Sequence, residues 1–389
     1  MIEREIEATL KEQAQFYPVV AVTGPRQSGK TTVAQTAFPE KPYVNLENPN
    51  ERLFAREDPE AFFAKYPDGV IIDEIQREPT LLSYMQVIVD KKKQKGMFII
   101  TGSHQPLLYQ EISQSLAGRV SLLKLLPLSI TELSRAHVSQ GTDSYLFKGF
   151  YPAIYNDNLA PTKAYQNYLE TYVEKDIRQL INVKDLVLFE KFLKLCAGRI
   201  GQLFVSSNLA DEVGVSYHTI NNWLSILEAS FLVFRLQPYF DNIGKRCIKS
   251  PKLYFSDVGF ASFLLDITKE SEISRDPLRG SLFENMVVLE LVKARINKGM
   301  LPNLYFYRDP QHNEVDVLFK TGADLIAIEI KSAQTYNPDL LKGLNKFQTI
   351  AKDKVAKSYL LYGGELEQKN KSVEIVNYKN AHNIINELS

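Results

Sequence analysis

Four short apolar runs, at residues 19–22, 43–46, 69–72 and 97–100, recur through the opening part of the chain with helical stretches between them. Such runs predict strands buried on both faces, and their alternation with helices predicts a parallel sheet covered on both sides. From 128 to 182 the pattern turns helical, with Pro127, Pro152 and Pro161 as breakers, and predicts a helical lid or linker. Residues 183–240 read as several helices closing on a β-rich stretch at 231–236, the order of a winged helix. The last part opens with a helix at 281–293, continues through strands at 303–307, 315–319 and 325–330, and keeps an α/β pattern to the end. The expected class is α/β in four parts: a parallel-sheet domain at 1–127, the lid or linker at 128–182, a winged-helix-like segment at 183–240 and an α/β domain at 241–389.

Composition agrees with a chain folded throughout. At 389 residues it exceeds one ordinary core, and 44% hydrophobic with 24% charged residues is a globular balance. Lysine plus arginine equals aspartate plus glutamate at 46 each, so no whole-molecule field draws the protein to nucleic acid or anionic membrane, and any such binding must be local. Cys196 and Cys247 stand far apart without a Cys/His cluster, which argues against a structural zinc or disulfide framework and for a reducing cytoplasm. The charged N-terminal segment and the lack of any run of about eighteen apolar residues argue against export and membrane spanning.

The most specific chemistry is Gly24-Pro25-Arg26-Gln27-Ser28-Gly29-Lys30-Thr31, which satisfies G-x-x-x-x-G-K-[ST] directly after an apolar strand. Glycines let successive N–H groups face phosphate oxygens, Lys30 neutralises the β- and γ-phosphates, and the Thr31 hydroxyl ligates Mg²⁺. The nucleotide-contacting set runs from Gly24 to Thr31 and includes Thr32. A second strand, 70–72, ends in Asp73 and Glu74, placing Asp73 beside the metal and leaving Glu74 to polarise the attacking water. A third, 97–100, runs into Thr101, Gly102 and Ser103; Ser103 is the preferred residue to hold that water, with Thr101 the alternative. Arg119 is read as an arginine finger on a neighbouring subunit's nucleotide, which implies a homo-oligomer; an ordinary surface arginine is an equal reading.

In the middle segment, residues 209–224 have a helix-turn-helix layout, with Gly214 at the turn and Tyr217, His218, Asn221 and Asn222 as exposed readers if the second helix enters a DNA groove. None of these is Arg or Lys, so a packing role outweighs DNA reading, and Trp223 reads as core. Nearer the C-terminus, Glu284 lies on a helical stretch, Asp316 within a strand, and Glu329 and Lys331 alternate on one strand face. Carboxylates so grouped would hold Mg²⁺ through Asp316 and Glu329 while Lys331 positions a water for attack on a phosphodiester. The plain alternative is a set of strand charges forming ion pairs.

These motifs together resemble the AAA+-type P-loop ATPases whose C-terminal part is a DUF4143 domain, similar to the restriction-endonuclease-like PD-(D/E)-x-K superfamily. The resemblance rests on GPRQSGKT at 24–31, IIDEIQ at 71–76, ITGSH at 100–104, LAGR at 116–119, FYPAIY at 150–155, YLETYVEKDI at 168–177, KSPKLYFSDVG at 249–259, GSLFENMV at 280–287, EVDVLF at 314–319 and IEIKS at 328–332. It implies ATP binding and hydrolysis with ATP and Mg²⁺ as ligands, and carries Glu284, Asp316, Glu329 and Lys331 onto the nuclease-like pattern. The leading expectation is an ATPase coupled to a nuclease-like domain that acts on or binds DNA. Beside it stand a nucleotide-dependent switch that binds a partner without cleavage and, more distantly, a small-molecule kinase.

Overall fold

A computed structural model describes residues 2–103, 111, 112, 114–173, 186–239, 248–369 and 373–386. The chain divides into two compact units: residues 1–128 with 229–231 and 296–300, and residues 129–228 with 232–295 and 301–389.

The first unit is built on five strands, β1 (Val19–Gly24), β2 (Tyr43–Asn45), β3 (Val70–Asp73), β4 (Phe98–Ser103) and β5 (Val120–Lys124), in the order β2-β3-β4-β1-β5. Every pairing is parallel. The four apolar runs are β1 to β4, and their unbroken hydrophobicity has a simple cause. Val19, Ala21, Val70, Ile72, Phe98 and Ile100 enter one core with Phe62, Leu82 and Met85. The alternating positions Val20, Val22, Ile71 and Ile99 enter another with Ile6, Leu10, Val33 and Ala34. Side chains on successive strand residues point to opposite faces, so a sheet covered on both sides makes both faces of its central strands apolar until their C-terminal ends, where Thr23, Asp73, Thr101 and Ser103 stand.

The second unit carries eight strands: β6 (Val233–Pro238), β7 (Lys252–Phe255), β8 (Leu304–Arg308), β9 (Glu314–Thr321), β10 (Asp324–Lys331), β11 (Val355–Tyr362), β12 (Gln368–Lys369) and β13 (Glu374–Asn377). Their order is β12-β13-β11-β10-β9-β8-β6-β7. The β-rich stretch that closes the winged-helix reading is therefore also a strand of the C-terminal sheet: β6 pairs with β7 antiparallel and with β8 in parallel. The expected boundaries at 182/183 and 240/241 lie outside the described residues. The helix-turn-helix layout is present as helices Ser206–Val213 and Tyr217–Ala229, with Gly214 at φ 88° as the C-cap between them. Trp223 is buried, its ring 5.4 Å from Phe189 and 5.6 Å from Phe192.

The helical stretch expected at 128–182 belongs to this second unit from Ser129 on, over its described part. It is held by a buried carboxylate. Asp257 accepts hydrogen bonds from Phe150 N at 2.7 Å, Phe260 N at 2.9 Å and the Tyr165 hydroxyl at 2.6 Å. Gly149, at φ 63°, is required by this approach: a Cβ there would lie 2.1 Å from the Tyr165 hydroxyl and 2.3 Å from Asp257 Oδ1. No helix among the described residues is long and apolar enough to cross a membrane.

Because Asp257→Ala strands buried donors on two segments distant in sequence, it is expected to lower unfolding free energy by about 3 kcal/mol. Urea denaturation measures this; a loss well under about 1 kcal/mol would mean water replaces the carboxylate without penalty.

Candidate functional site

β1 ends against a neighbour that admits only glycine: a Cβ on Gly24 would lie 2.1 Å from Leu125 O. The chain then turns through Pro25, Arg26, Gln27, Ser28 and Gly29, with Gln27 at φ 61° and Gly29 at φ 90°. Positive φ at the non-glycine Gln27 is uncommon and marks a shaped loop rather than a casual turn. Ser28 closes the turn on Pro25 O at 2.9 Å. Arg4 braces it from the N-terminal segment, donating to Ser28 O at 2.6 Å and Leu126 O at 2.7 Å. Helix Lys30–Ala37 starts at once, so its unsatisfied N–H groups and positive dipole end face the loop. Thr31 and Thr32, both half-buried, form its first turn.

Lys30 is buried and its Nζ donates to Pro25 O at 2.7 Å and Gly24 O at 3.1 Å. Burial lowers its pKa to about 8, against the opposing pull of Glu74 and Asp73. Thr31 Oγ1 donates to Asp73 Oδ2 at 2.8 Å. The same carboxylate accepts from the Tyr43 hydroxyl at 2.8 Å and from Thr101 Oγ1. Thr31 and Asp73 thus meet as oxygen donors of the kind Mg²⁺ takes, beside a lysine and a loop of backbone N–H groups: the residues fit a magnesium-bound triphosphate.

Glu74 follows at φ 57° and turns the chain into a short 3₁₀ segment, Ile75–Arg77. That reversal swings Gln76 back, where its Nε2 donates to Glu74 Oε2 and, at 2.9 Å, to Ser103 Oγ. Gln76 Oε1 is buried without a hydrogen-bond partner. Burial raises the Glu74 carboxyl above the usual range, partly offset by Lys30. Ser103 ends β4, in register with Gly24 on the neighbouring strand, so both residues proposed for holding water lie here, Ser103 towards Glu74 and Thr101 on Asp73. Arg119 is not brought to this place. It stands where β5 starts, beside Val19 at the opposite edge of the sheet, and its guanidinium clasps Asp90 through contacts of 2.6 and 2.9 Å.

In the second unit Glu284, Asp316, Glu329 and Lys331 do come together, with residues the spacing did not announce. Lys331 Nζ lies 2.5 Å from Glu329 Oε1 and 3.5 Å from Asp316 Oδ2. Lys252, on β7, places its Nζ 2.8 Å from Glu284 Oε1, against Glu314 Oε1, and 3.8 Å from Asp316 Oδ1. Tyr254 donates to Glu284 Oε1 at 2.6 Å, Ile330 N to Asp316 Oδ2 at 2.8 Å, and Arg308 sits 3.1 Å from Glu314 Oε2. Burial pushes Glu329 up to about 8, with Asp316 adding to it and Lys331 opposing; it also raises Glu284. Among the described residues no group of three or more His, Cys, Asp or Glu side chains is disposed to hold a metal ion.

Residues 17–134 match the family model described as an AAA domain, and 279–381 and 139–271 match two domains of unknown function, DUF4143 and DUF8612. Uncharacterized proteins of Mycobacterium tuberculosis and Mycobacterium bovis are 30% identical over 368 residues, spanning 93% of this chain and 80% of theirs. The chain belongs to their family. An uncharacterized protein of Methanocaldococcus jannaschii is 25% identical over 348 residues, 81% of this chain and 75% of its own. Among solved structures, a Walker-type ATPase of Pyrococcus abyssi is similar at 16% identity and a TM-score of 0.44, over 68% of this chain and 96% of that one. AMPPCP-bound DnaA from Aquifex aeolicus is similar at 13% identity and a TM-score of 0.30, over 57% and 85%.

In this member of the family, the site residues that motif spacing missed are Arg4, Tyr43 and Gln76 in the first unit and Lys252, Tyr254, Arg308 and Glu314 in the second. Of these, Gln76, Lys252, Tyr254 and Glu314 fall inside motifs already singled out, IIDEIQ, KSPKLYFSDVG and EVDVLF.

Binding a triphosphate favours charged Lys30, whereas burial in the free protein brings its pKa to about 8. Affinity for a non-hydrolysable ATP analogue should therefore fall as pH rises through 8, by up to about tenfold per unit. A flat affinity from pH 7.5 to about 9.5 would place the lysine in water, where its charge persists to higher pH.

Proposed function

We propose that this chain binds and hydrolyses ATP in its first unit. The observation that carries the reading is the 2.8 Å contact between Thr31 Oγ1 and Asp73 Oδ2, with Glu74 next in the chain and linked to Ser103 through Gln76. Loop N–H groups and Lys30 bind the β- and γ-phosphates, while Thr31 and Asp73 would hold Mg²⁺. Bound there, the ion supplies neutralisation of phosphate charge. Glu74 accepts a proton from the attacking water as its oxygen bonds to the γ-phosphorus and the bond to the bridging oxygen breaks, releasing ADP and phosphate. A carboxyl raised by burial is the stronger base for this task. Ser103 orients the water, and Gln76 ties Glu74 to Ser103.

Lys30→Ala should abolish ATP binding. Glu74→Gln should keep ATP bound and slow turnover by about 10²- to 10⁴-fold. Equilibrium binding and phosphate release measure the two; undiminished turnover in either variant overturns the assignment.

For the second unit, a nucleotide-responsive binding module is favoured over a reader of DNA sequence. Helix Tyr217–Ala229 carries no lysine or arginine, so the face meant for a groove lacks the cations that supply affinity for phosphate. Asn221, which would read bases, is engaged by Ser206 Oγ at 2.8 Å and by Tyr217 O at 3.2 Å. Duplex DNA should then leave ATP turnover within about twofold, at low and high salt alike. Strong stimulation that weakens steeply with salt would restore the DNA reading. Arg119, clasped by Asp90, takes no part in this proposal.

A further inference from the structure

The nuclease-type pattern implies a divalent cation among Glu284, Asp316 and Glu329, and the residues present do not fit one. A magnesium ion demands about six oxygen ligands in a nearly octahedral shell. Here the space between the acids holds an ammonium group. Lys252 is 2% exposed along its side chain, and its Nζ contacts Glu284, Glu314 and, at 3.8 Å, Asp316. On the far side of Asp316, Lys331 contacts Glu329 and Asp316. Asp316 Oδ2 is further committed to Ile330 N. Glu329 Oε2 is buried without a partner, but one such oxygen, on a carboxylate already paired with Lys331, is no coordination shell. A Cβ on Gly343 would lie 3.2 Å from Glu329 Oε1, so backbone closes over that carboxylate as well.

We propose that Lys252 is the resident cation of this cluster, its ammonium standing where a metal-dependent nuclease would hold its ion, so that the second unit takes no divalent cation there and cuts no phosphodiester by that route. The reasoning is electrostatic. Four carboxylates, Glu284, Glu314, Asp316 and Glu329, face three cations, Lys252, Lys331 and Arg308. A dication entering among them would meet two ammonium charges at close range in a partly dry setting, where repulsion is weakly screened. Lys252 cannot simply swing out to make room. Its stem is buried, and its Nζ lies 5.7 Å from the Phe306 ring centre. Its backbone is fixed on β7 opposite Leu236. The inference does not depend on the ATPase reading, since it concerns a different unit and needs no nucleotide.

Manganese titration of the full, nucleotide-free chain, followed by the electron paramagnetic resonance of unbound Mn²⁺, tests it. Wild type and Asp316→Asn should take up the same amount of metal. Lys252→Ala should gain one bound Mn²⁺ per chain, and adding Asp316→Asn to it should remove that gain. Should Lys252→Ala fail to fold, Lys252→Gln keeps a hydrogen-bonding side chain without the charge and should show the same gain. A wild-type manganese site that Asp316→Asn abolishes overturns the proposal, as does a folded Lys252 variant that gains no metal.

Discussion

The candidate nucleotide site depends on one carboxylate being reached from several directions. Asp73 ends β3, whereas the phosphate loop leaves β1, and β4 lies between them. At about 4.8 Å per strand the two are separated by roughly 10 Å of sheet, a gap that no single side chain on β1 closes. The structure closes it with Thr31 on the helix after the loop and Thr101 on the intervening strand, while Tyr43 on the outer strand holds Asp73 from the other side, all three donating to Asp73. The parallel order therefore does more than stack a core: it sets Thr101 and Ser103 between the acids and the loop.

Much of this arrangement was legible in the sequence because the determining features are local. Strands buried on both faces announce themselves as unbroken apolar runs, and the loop residues that cradle phosphate lie next to one another. Tyr43 and Arg4 were not legible, since a tyrosine opening a short strand and an arginine before the first helix carry no spacing signal. Gln76 is the instructive case. It lies two residues from Glu74, yet only the left-handed backbone at Glu74, φ 57°, folds the chain so that its amide reaches back to Glu74 and across to Ser103. Nothing in the residue types demands that conformation.

The second unit was read less well for a related reason. Alternation along β10 correctly put Glu329 and Lys331 on one face, and Asp316 is brought to them by the antiparallel pairing of β9 with β10. The segment boundaries drawn along the chain hid the rest. β6 was assigned to the winged-helix-like segment, and β7, though inside the C-terminal domain and the KSPKLYFSDVG motif, was not read as a strand, yet the two complete the far edge of the sheet, and with β7 comes Lys252. Acids were counted as ligands because their cation arrives from a strand that is neighbouring in space and remote in sequence.

The two clusters place opposite occupants around similar acids. Around Asp73 the side-chain partners are hydroxyls, from Thr31, Tyr43 and Thr101, which satisfy carboxylate oxygens without cancelling the charge; the field that draws a cation survives, and a hydroxyl is readily exchanged for one. Around Glu284, Glu314 and Asp316 the partner is an ammonium group, which satisfies and neutralises together. An ion pair so buried resists loss of either member, because the one left behind would be an unpaired charge away from water. Hydroxyl-ringed acid is suited to repeated binding and release of a metal-bound nucleotide, and ammonium-filled acid to holding one arrangement of a sheet, so the division of labour between the units follows from what each carboxylate has been given for a partner.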